Sequence, residues 1–252
     1  FGPFSQILTM SNLPLKGSIS DDELIIINDG GVIVSGGIII EVDKFSKLES
    51  KCDNKHMIKS PYVLLPGFID CHTHVCFAGS RSMDYSKKNA GVSYQEILSQ
   101  GGGIYDTMRK TESVTDSELV RLTNKRLKRH FYEGVLTCEV KSGYGINFNQ
   151  EIRLLKIINQ LSKNNYIDII PTCLAAHVPP IKKEISSEEY LKSIVDELFP
   201  IIINDKLSNR IDIFIEKNAF KKEESMNYLK SAKSFGFDTA VHANQFSSCG
   251  LT

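Results

Sequence analysis

Two histidines stand two residues apart at the end of an apolar run, in Pro66-Gly67-Phe68-Ile69-Asp70-Cys71-His72-Thr73-His74. Along a β-strand, residues two apart project from the same face, so an extended backbone here turns both imidazoles into one space. Neutral imidazole nitrogens ligate Zn²⁺, Fe²⁺, Ni²⁺ or Mn²⁺, and a catalytic ion keeps a position open for water. The same pair also fits a strand end whose histidines face solvent, so the surrounding residues have to distinguish the two readings.

Other chemistry-bearing residues recur in the same kind of place. Lys141-Ser142-Gly143-Tyr144-Gly145 follows the apolar run from Val135, His177 follows Ala175-Ala176, Glu216 follows Ile211 to Ile215, and His242 sits in the run from Thr239. The elements that must position them read as strands over residues 63–70, 135–141, 167–175, 211–216 and 239–243. Helical patterns fall between them, over 117–132, 150–161, 188–203 and 221–235. Leu119, Leu122, Leu127 and Phe131 trace one buried stripe, and Gly134 and Gly236 supply helix stops. Strands alternating with amphipathic helices predict a parallel sheet. A TIM-type (β/α)₈ barrel builds its active site at the carboxyl ends of several strands, as these residues require. A doubly wound open sheet also binds ligands there and remains the alternative. About five strand–helix units are present, too few to close a barrel of eight.

Residues 1–61 have a different texture. Leu24 to Ile27, Val32 to Val34 and Ile38 to Ile40 are β-branched runs separated by Asn28-Asp29-Gly30-Gly31 and Gly36-Gly37, the pattern of antiparallel hairpins. The organisation predicted is a small β-domain over 1–61 and an α/β domain over 62–252. The segment 78–112, between the first strand and its helix, contains Gly101-Gly102-Gly103 and a helix-like stretch at 94–98. A βα connection of that length is usually functional, and it is read as a lid or substrate loop.

Lysine plus arginine and aspartate plus glutamate balance at 30 each, so charge gives no reason to expect nucleic acid or an anionic membrane as partner. A small molecule is the expected ligand. The six cysteines include no Cys-x-x-Cys pair, and several lie in apolar runs where a thiol acts as a small hydrophobe. No stretch approaches the roughly 20 apolar residues of a membrane span. These features predict a cytoplasmic protein. The chain begins at Phe1 and stops at Thr252, just past a strand end, and is read as a piece of a longer protein.

With these residues assembled, the chain resembles the metal-dependent amidohydrolase superfamily and, within it, the imidazolonepropionase family. The His-x-His strand is common to the superfamily. More particular are Phe77-Ala78-Gly79-Ser80-Arg81, Gly101-Gly102-Gly103-Ile104, Lys141-Ser142-Gly143-Tyr144-Gly145, Ala175-Ala176-His177 and His242-Ala243-Asn244-Gln245, in that order. The resemblance implies hydrolysis of the ring amide of 4-imidazolone-5-propanoate to N-formimidoyl-L-glutamate, with one Zn or Fe ion. It implies His72, His74 and His242 as metal ligands, Arg81 on the propionate carboxylate, Tyr144 on the substrate and His177 on the ring. Gln245 occupies a substrate-contacting position that is Glu in some members; an amide takes no proton at neutral pH. The resemblance further implies a homodimer, and a fourth ligand, an Asp of an eighth strand, that residues 1–252 do not include. The chain alone is therefore expected to be inactive. Lys141 stands in a single-metal context rather than as a carbamylated bridge, and Glu139 and Glu216 are candidates for orienting a ligand histidine or for buried ion pairs. Competing readings are a nucleobase deaminase or cyclic amidase sharing the metal site, and a non-catalytic scaffold.

Overall fold

Gly67 divides the chain: residues 1–67 form one unit and 68–252 another. The computed structural model describes residues 1–59, 61–163, 165–180, 185–217, 219–245 and 247–249. In the first unit, β1 (Phe4–Leu8), β2 (Ile26–Ser35), β3 (Ile38–Lys44) and β4 (Val63–Leu64) form a sheet of order β3-β2-β1-β4, with a single helical turn, α1 (Phe45–Leu48), after β3. The hairpin between β2 and β3 turns at Gly36 and Gly37, with φ of 58° and 81°, left-handed values that glycine adopts without a Cβ clash. Asn28 to Gly31, expected as a turn, instead lies inside the single long strand β2, because Gly30 pairs with Phe4 on one side and Lys44 on the other. The run at 63–70, expected as one strand, is also two. Val63 and Leu64 pair in parallel with β1, and a new strand begins at Phe68 beyond Pro66-Gly67, which places the division at Gly67 rather than at 61.

The second unit is α/β. Strands β5 (Phe68–Thr73), β6 (Val135–Lys141), β7 (Asp168–Ala176), β8 (Arg210–Ile215) and β9 (Asp238–Ala243) are parallel and hydrogen-bonded in chain order. The sheet is curled. In a flat sheet the axes of the first and fifth strands would lie about 19 Å apart, yet the rings of His72 on β5 and His242 on β9 have centroids 5.0 Å apart.

The connection from β5 to β6, expected over 78–112 as a lid or substrate loop with one helix-like stretch at 94–98, holds that helix as α3 (Tyr94–Ser99) and two more, α2 (Ser82–Asn89) and α4 (Gly103–Ser113), before α5 (Asp116–Tyr132). Ser93 caps α3 by accepting from the Glu96 amide, while the Glu96 carboxylate accepts from the Ser93 amide, a capping box that makes this short helix worth forming. Next comes α6 (Phe148–Ser162), capped by Asn147 and burying Glu151, Leu154, Leu155, Ile158 and Leu161 on one face. The helical run after β7 comprises α7 (Ser187–Ser193), a wide π turn (Ile194–Leu198) and α8 (Phe199–Asn204). Pro200 has no N–H for an ordinary helical bond, and the Phe199 amide donates five residues back, to Ile194, as a π turn requires. The last helix is α9 (Lys222–Ser234).

Two apolar layers fix the sheet against these helices. Leu119, Leu127, Val140, Leu154 and Ile158 pack between α5, α6 and the first strands. Leu155, Ile194, Phe199, Ile202, Ile211 and Ile213 pack between α6 to α9 and the later strands. Each such side chain, fully buried, contributes about 1.5–3 kcal/mol. Among the described residues no helix is long and apolar enough to cross a membrane.

Candidate active site

The strand ends of the second unit bring their histidines together. His72 belongs to β5, His74 follows it directly, His177 follows β7, and His242 belongs to β9. Ring centroids are 5.4 Å apart for His72 and His74, 5.0 Å for His72 and His242, and 5.0 Å for His74 and His177, the last pair stacked. Phe214 of β8 closes the circuit, 4.7 Å from His242 and 6.3 Å from His177. Four separate segments thus converge on one spot at the carboxyl face.

Burial governs the charge state of these rings. It pulls His74 down to about 3, helped by the neighbouring His177, and His177 down to about 4, with the latter opposed by a hydrogen bond to Gly143. His72 is also lowered, chiefly by burial and then by the Lys141 ammonium. All three imidazoles are held neutral, the form that donates a lone pair to a metal. Nδ1 of His177 lies 2.8 Å from the Gly143 carbonyl oxygen. A carbonyl only accepts, so Nδ1 carries the proton and Nε2 presents its lone pair.

Beneath the histidines lies a charged cluster. The Lys141 ammonium, 1% exposed, contacts Glu139 Oε1 at 2.5 Å and Asp212 Oδ2 at 2.6 Å, with the carboxylates 3% and 1% exposed. Glu139 also accepts from the Thr73 amide through Oε2, and the Thr73 hydroxyl donates to its carbonyl at 2.7 Å. The residue between His72 and His74 is therefore pinned to β6 by side chain and backbone together. Of the two roles open to Glu139 from the sequence, the ion pair is present, and its hold on Thr73 also fixes the backbone that carries both ligand-type histidines. Glu216 is buried and accepts from the Ser247 hydroxyl and the Lys217 amide.

A cavity of about 620 Å³ opens on this face, lined by His177, His242, Gln245, Glu216, Phe214 and Tyr105, among others. Leu98 and Ile104, from the segment expected to act as a lid, also line it. Tyr144 stands beside the cavity with its ring 5.8 Å from both His74 and His177. Arg81 is not among the lining residues; its Nε donates to Asp84 Oδ2 at 2.5 Å, and that oxygen also accepts from the Gly103 amide. The structure therefore gathers His72, His74, His177, His242, Tyr144 and Gln245 and leaves Arg81 outside the main cavity, tethered to the start of α4. Sequence reasoning missed Asp212 and Glu151. The signal in each case is a lone carboxylate on an otherwise apolar face, Asp212 within Ile211 to Ile215 and Glu151 on the stripe of Leu154, Leu155 and Ile158.

Among the described residues no three His, Cys, Asp or Glu side chains stand as a preformed metal cage, but two features of the histidine group fit an ion. Nδ1 of His74 and Nδ1 of His242 are buried without a hydrogen-bond partner, a costly state that a cation relieves. Imidazoles bound through nitrogens about 2.1 Å from one tetrahedral ion have ring centroids about 5 Å apart, close to the 5.4 Å and 5.0 Å separations around His72.

No family model matches the chain. Among curated proteins, it is 37% identical over 253 residues to the imidazolonepropionase of Bdellovibrio bacteriovorus, a match spanning 98% of this chain and 59% of that protein. It is 38% identical over 251 residues to the imidazolonepropionase of Streptococcus gordonii, with the same 98% and 59% coverage. The chain thus spans 59% of the length of these relatives. Among solved structures, the guanine deaminase of E. coli superposes with a TM-score of 0.55 at 14% identity, covering 95% of this chain and 51% of that one, a likeness of fold. Along 98% of its length, a span that includes all but a few of its residues, the chain is similar to curated imidazolonepropionases.

Proposed function

We propose that this chain contributes the metal- and substrate-binding strand ends of a hydrolase that opens the ring amide of 4-imidazolone-5-propanoate, giving N-formimidoyl-L-glutamate. The observation that carries the reading is the convergence of His72, His74 and His242, two of them with orphaned ring nitrogens, in a chain similar to imidazolonepropionases. These three histidines would hold one divalent ion, zinc or iron, both suited to imidazole donors. When bound, such an ion supplies Lewis acidity to the ring carbonyl and acidifies water.

The chain's own residues perform the remaining work. In the reaction a water oxygen bonds to the ring carbonyl carbon, the ring C–N bond breaks, and a proton passes to the departing nitrogen. His177, neutral and with its Nδ1 proton committed to the Gly143 carbonyl, offers Nε2 to hold or pass that proton. Gln245 orients substrate through its amide without taking a proton. Tyr144 stands against the two imidazoles of His74 and His177, where its ring and hydroxyl bound the substrate's position. Arg81, its Nε held by Asp84, keeps both Nη groups of its guanidinium for the propionate carboxylate in this reading, a fork suited to bidentate recognition. The cysteines described are all free thiols, which suits a reducing compartment such as the cytoplasm.

The test is zinc binding by the metal-free chain, followed calorimetrically, with 4-imidazolone-5-propanoate titrated afterwards. The expected result is one ion per chain, lost on His72→Ala or His242→Ala, and substrate binding that weakens at least tenfold on Arg81→Ala. Zinc uptake unchanged in both histidine variants would overturn the metal site. Unchanged substrate affinity in Arg81→Ala would overturn the carboxylate assignment and favour a neutral cyclic amide.

A further inference from the structure

The Glu151 side chain is 2% exposed, an unusual place for a carboxylate, and the reaction just described makes no use of it. It projects from the first turn of α6 into the loop that follows β6. Both of its oxygens accept from the Gly143 amide at 3.0 Å, and Oε1 also accepts from the Gly145 amide at 2.5 Å. The carboxylate therefore grips the backbone on either side of Tyr144. Gly143 holds φ at +93°, and a Cβ there would come within 2.9 Å of His177 Nδ1. A Cβ on Gly145 would come within 2.6 Å of both the Glu151 amide and Oε1. The turn is thus packed to contact on one side by Glu151 and on the other by His177, whose Nδ1 donates to the Gly143 carbonyl. Ser142 completes the anchor, donating its amide to Thr172 of β7 and accepting the Leu174 amide on its hydroxyl.

We propose that Glu151 is a positioning residue for the active site: by clamping the Gly143 and Gly145 amides it fixes the Tyr144 ring and, through the Gly143 carbonyl, the tautomer of His177. The proposal rests on the reading of Tyr144 and His177 as substrate-facing groups. The chain of contacts is short and each link is directional. The carboxylate holds the Ser142–Gly143 and Tyr144–Gly145 peptides by their N–H groups, the Gly143–Tyr144 peptide linked between them is thereby held with its carbonyl toward His177, and the carbonyl selects Nδ1–H over Nε2–H on the imidazole. Free of that carbonyl, a neutral imidazole populates both tautomers, and only the Nδ1–H form has an Nε2 lone pair with which to take a proton.

The experiment is long-range ¹H–¹⁵N correlation of the imidazoles in the full chain at fixed neutral pH without metal, with the His177 signals identified by their loss in His177→Gln. Wild type is expected to show a single Nδ1–H pattern for His177. In Glu151→Ala that pattern should give way to a mixture of both tautomers, with a shifted Tyr144 ring signal, while Glu151→Gln, which keeps Oε1 for the two amides, should restore it. Gly145→Ala, whose new methyl pushes the turn off the carboxylate, should reproduce the Glu151→Ala spectrum, and it serves if Glu151→Ala does not fold. An unchanged Nδ1–H pattern for His177 in a folded Glu151→Ala or Gly145→Ala chain would overturn the proposal. Because the readout needs neither ion nor substrate, it is decided separately from the reaction. Failure of wild type to bind zinc or 4-imidazolone-5-propanoate would count against the function and leave the clamp to be judged on the spectra.

Discussion

Single ionisable groups in this protein carry consequences that solution measurements can read. His74 and His177 are neutral down to about 3 and about 4 because burial penalises their cationic forms, whereas in the unfolded chain both titrate near 6.5. Between those limits the unfolded state binds more protons than the folded one, so the free energy of unfolding rises with pH and falls as pH drops. In metal-free protein, stability should therefore decline from about pH 6.5 toward pH 4, with these two groups adding up to about 2.7 kcal/mol per pH unit. Urea midpoints at successive pH values measure the slope, and His177→Gln should remove about half of this contribution; an unaltered slope would show that His177 titrates normally in the fold. Lys141 makes a second case. Replacing it with Met leaves the buried Glu139 and Asp212 carboxylates facing one another without a cation, a loss of about 3–5 kcal/mol. Adding Asp212→Asn to Lys141→Met should recover part of that loss, and a double-mutant cycle by urea unfolding provides the check. Equal stabilities for the single and double variants would mean that the ammonium is not what holds the pair.

Helix α6 and strand β6 show what the sequence makes legible at the scale of an element. The helical pattern over 150–161 is met by α6 at Phe148–Ser162, which buries Leu154, Leu155, Ile158 and Leu161. Leu155→Ala should cost about 2–5 kcal/mol, because Leu155 is fully enclosed against the later strands; a midpoint within error of wild type would mean that the site collapses around the missing atoms. The clustering of polar residues at strand ends was equally visible, and it brought His72, His74, His177 and His242 to one face without any knowledge of their contacts. What periodicity could not convey is which long-range partner a residue meets. Glu151 and Gly145 are close in sequence, yet only the folded turn shows the carboxylate gripping an amide. Lys141 and Asp212 lie on strands separated by β7 and meet across it, a pairing that only the strand order reveals. Within 78–112 the sequence shows only the helix at 94–98; α2 buries no residue, and of the four residues that α4 buries only Met108 is a large apolar one, so neither carries the apolar period that marks a helix. Likewise the turn residues Asn28 to Gly31 lost to strand pairing on both sides, a tertiary effect that outweighs local preference. Arg81, expected on the propionate carboxylate from the family resemblance, pairs through its Nε with Asp84, a contact that the motif itself does not announce.

At the largest scale, that of residues 1–252 taken together, the curled sheet ends in two strands with partners on one side only. Among the described residues β5 pairs with β6 alone and β9 with β8 alone, so each presents a row of backbone donors and acceptors to its surroundings. Such edges are templates for pairing with another chain unless charge, proline or a covering element blunts them. Here each carries an exposed apolar side chain: Ile69 on β5 is 70% exposed and Val241 on β9 is 46% exposed. The formal net charge of zero adds no repulsion between copies. Residues 1–252 on their own, with no further strand laid on β5 or β9, should therefore self-associate in a concentration-dependent way through these edges, seen as a weight-average sedimentation coefficient that rises with loading concentration. A lysine at an edge both charges the surface and opposes a second strand, so Ile69→Lys combined with Val241→Lys should flatten that dependence. These substitutions remove apolar side chains that are already in water, and the unfolding midpoint should move by no more than about 0.5 kcal/mol. A sedimentation coefficient independent of concentration in the unsubstituted chain would show that the edges are satisfied in solution. Association that persists undiminished in the double lysine variant would move the contact to the exposed isoleucines of β3, Ile38, Ile39 and Ile40, where a single charged replacement at Ile39 then separates the two surfaces.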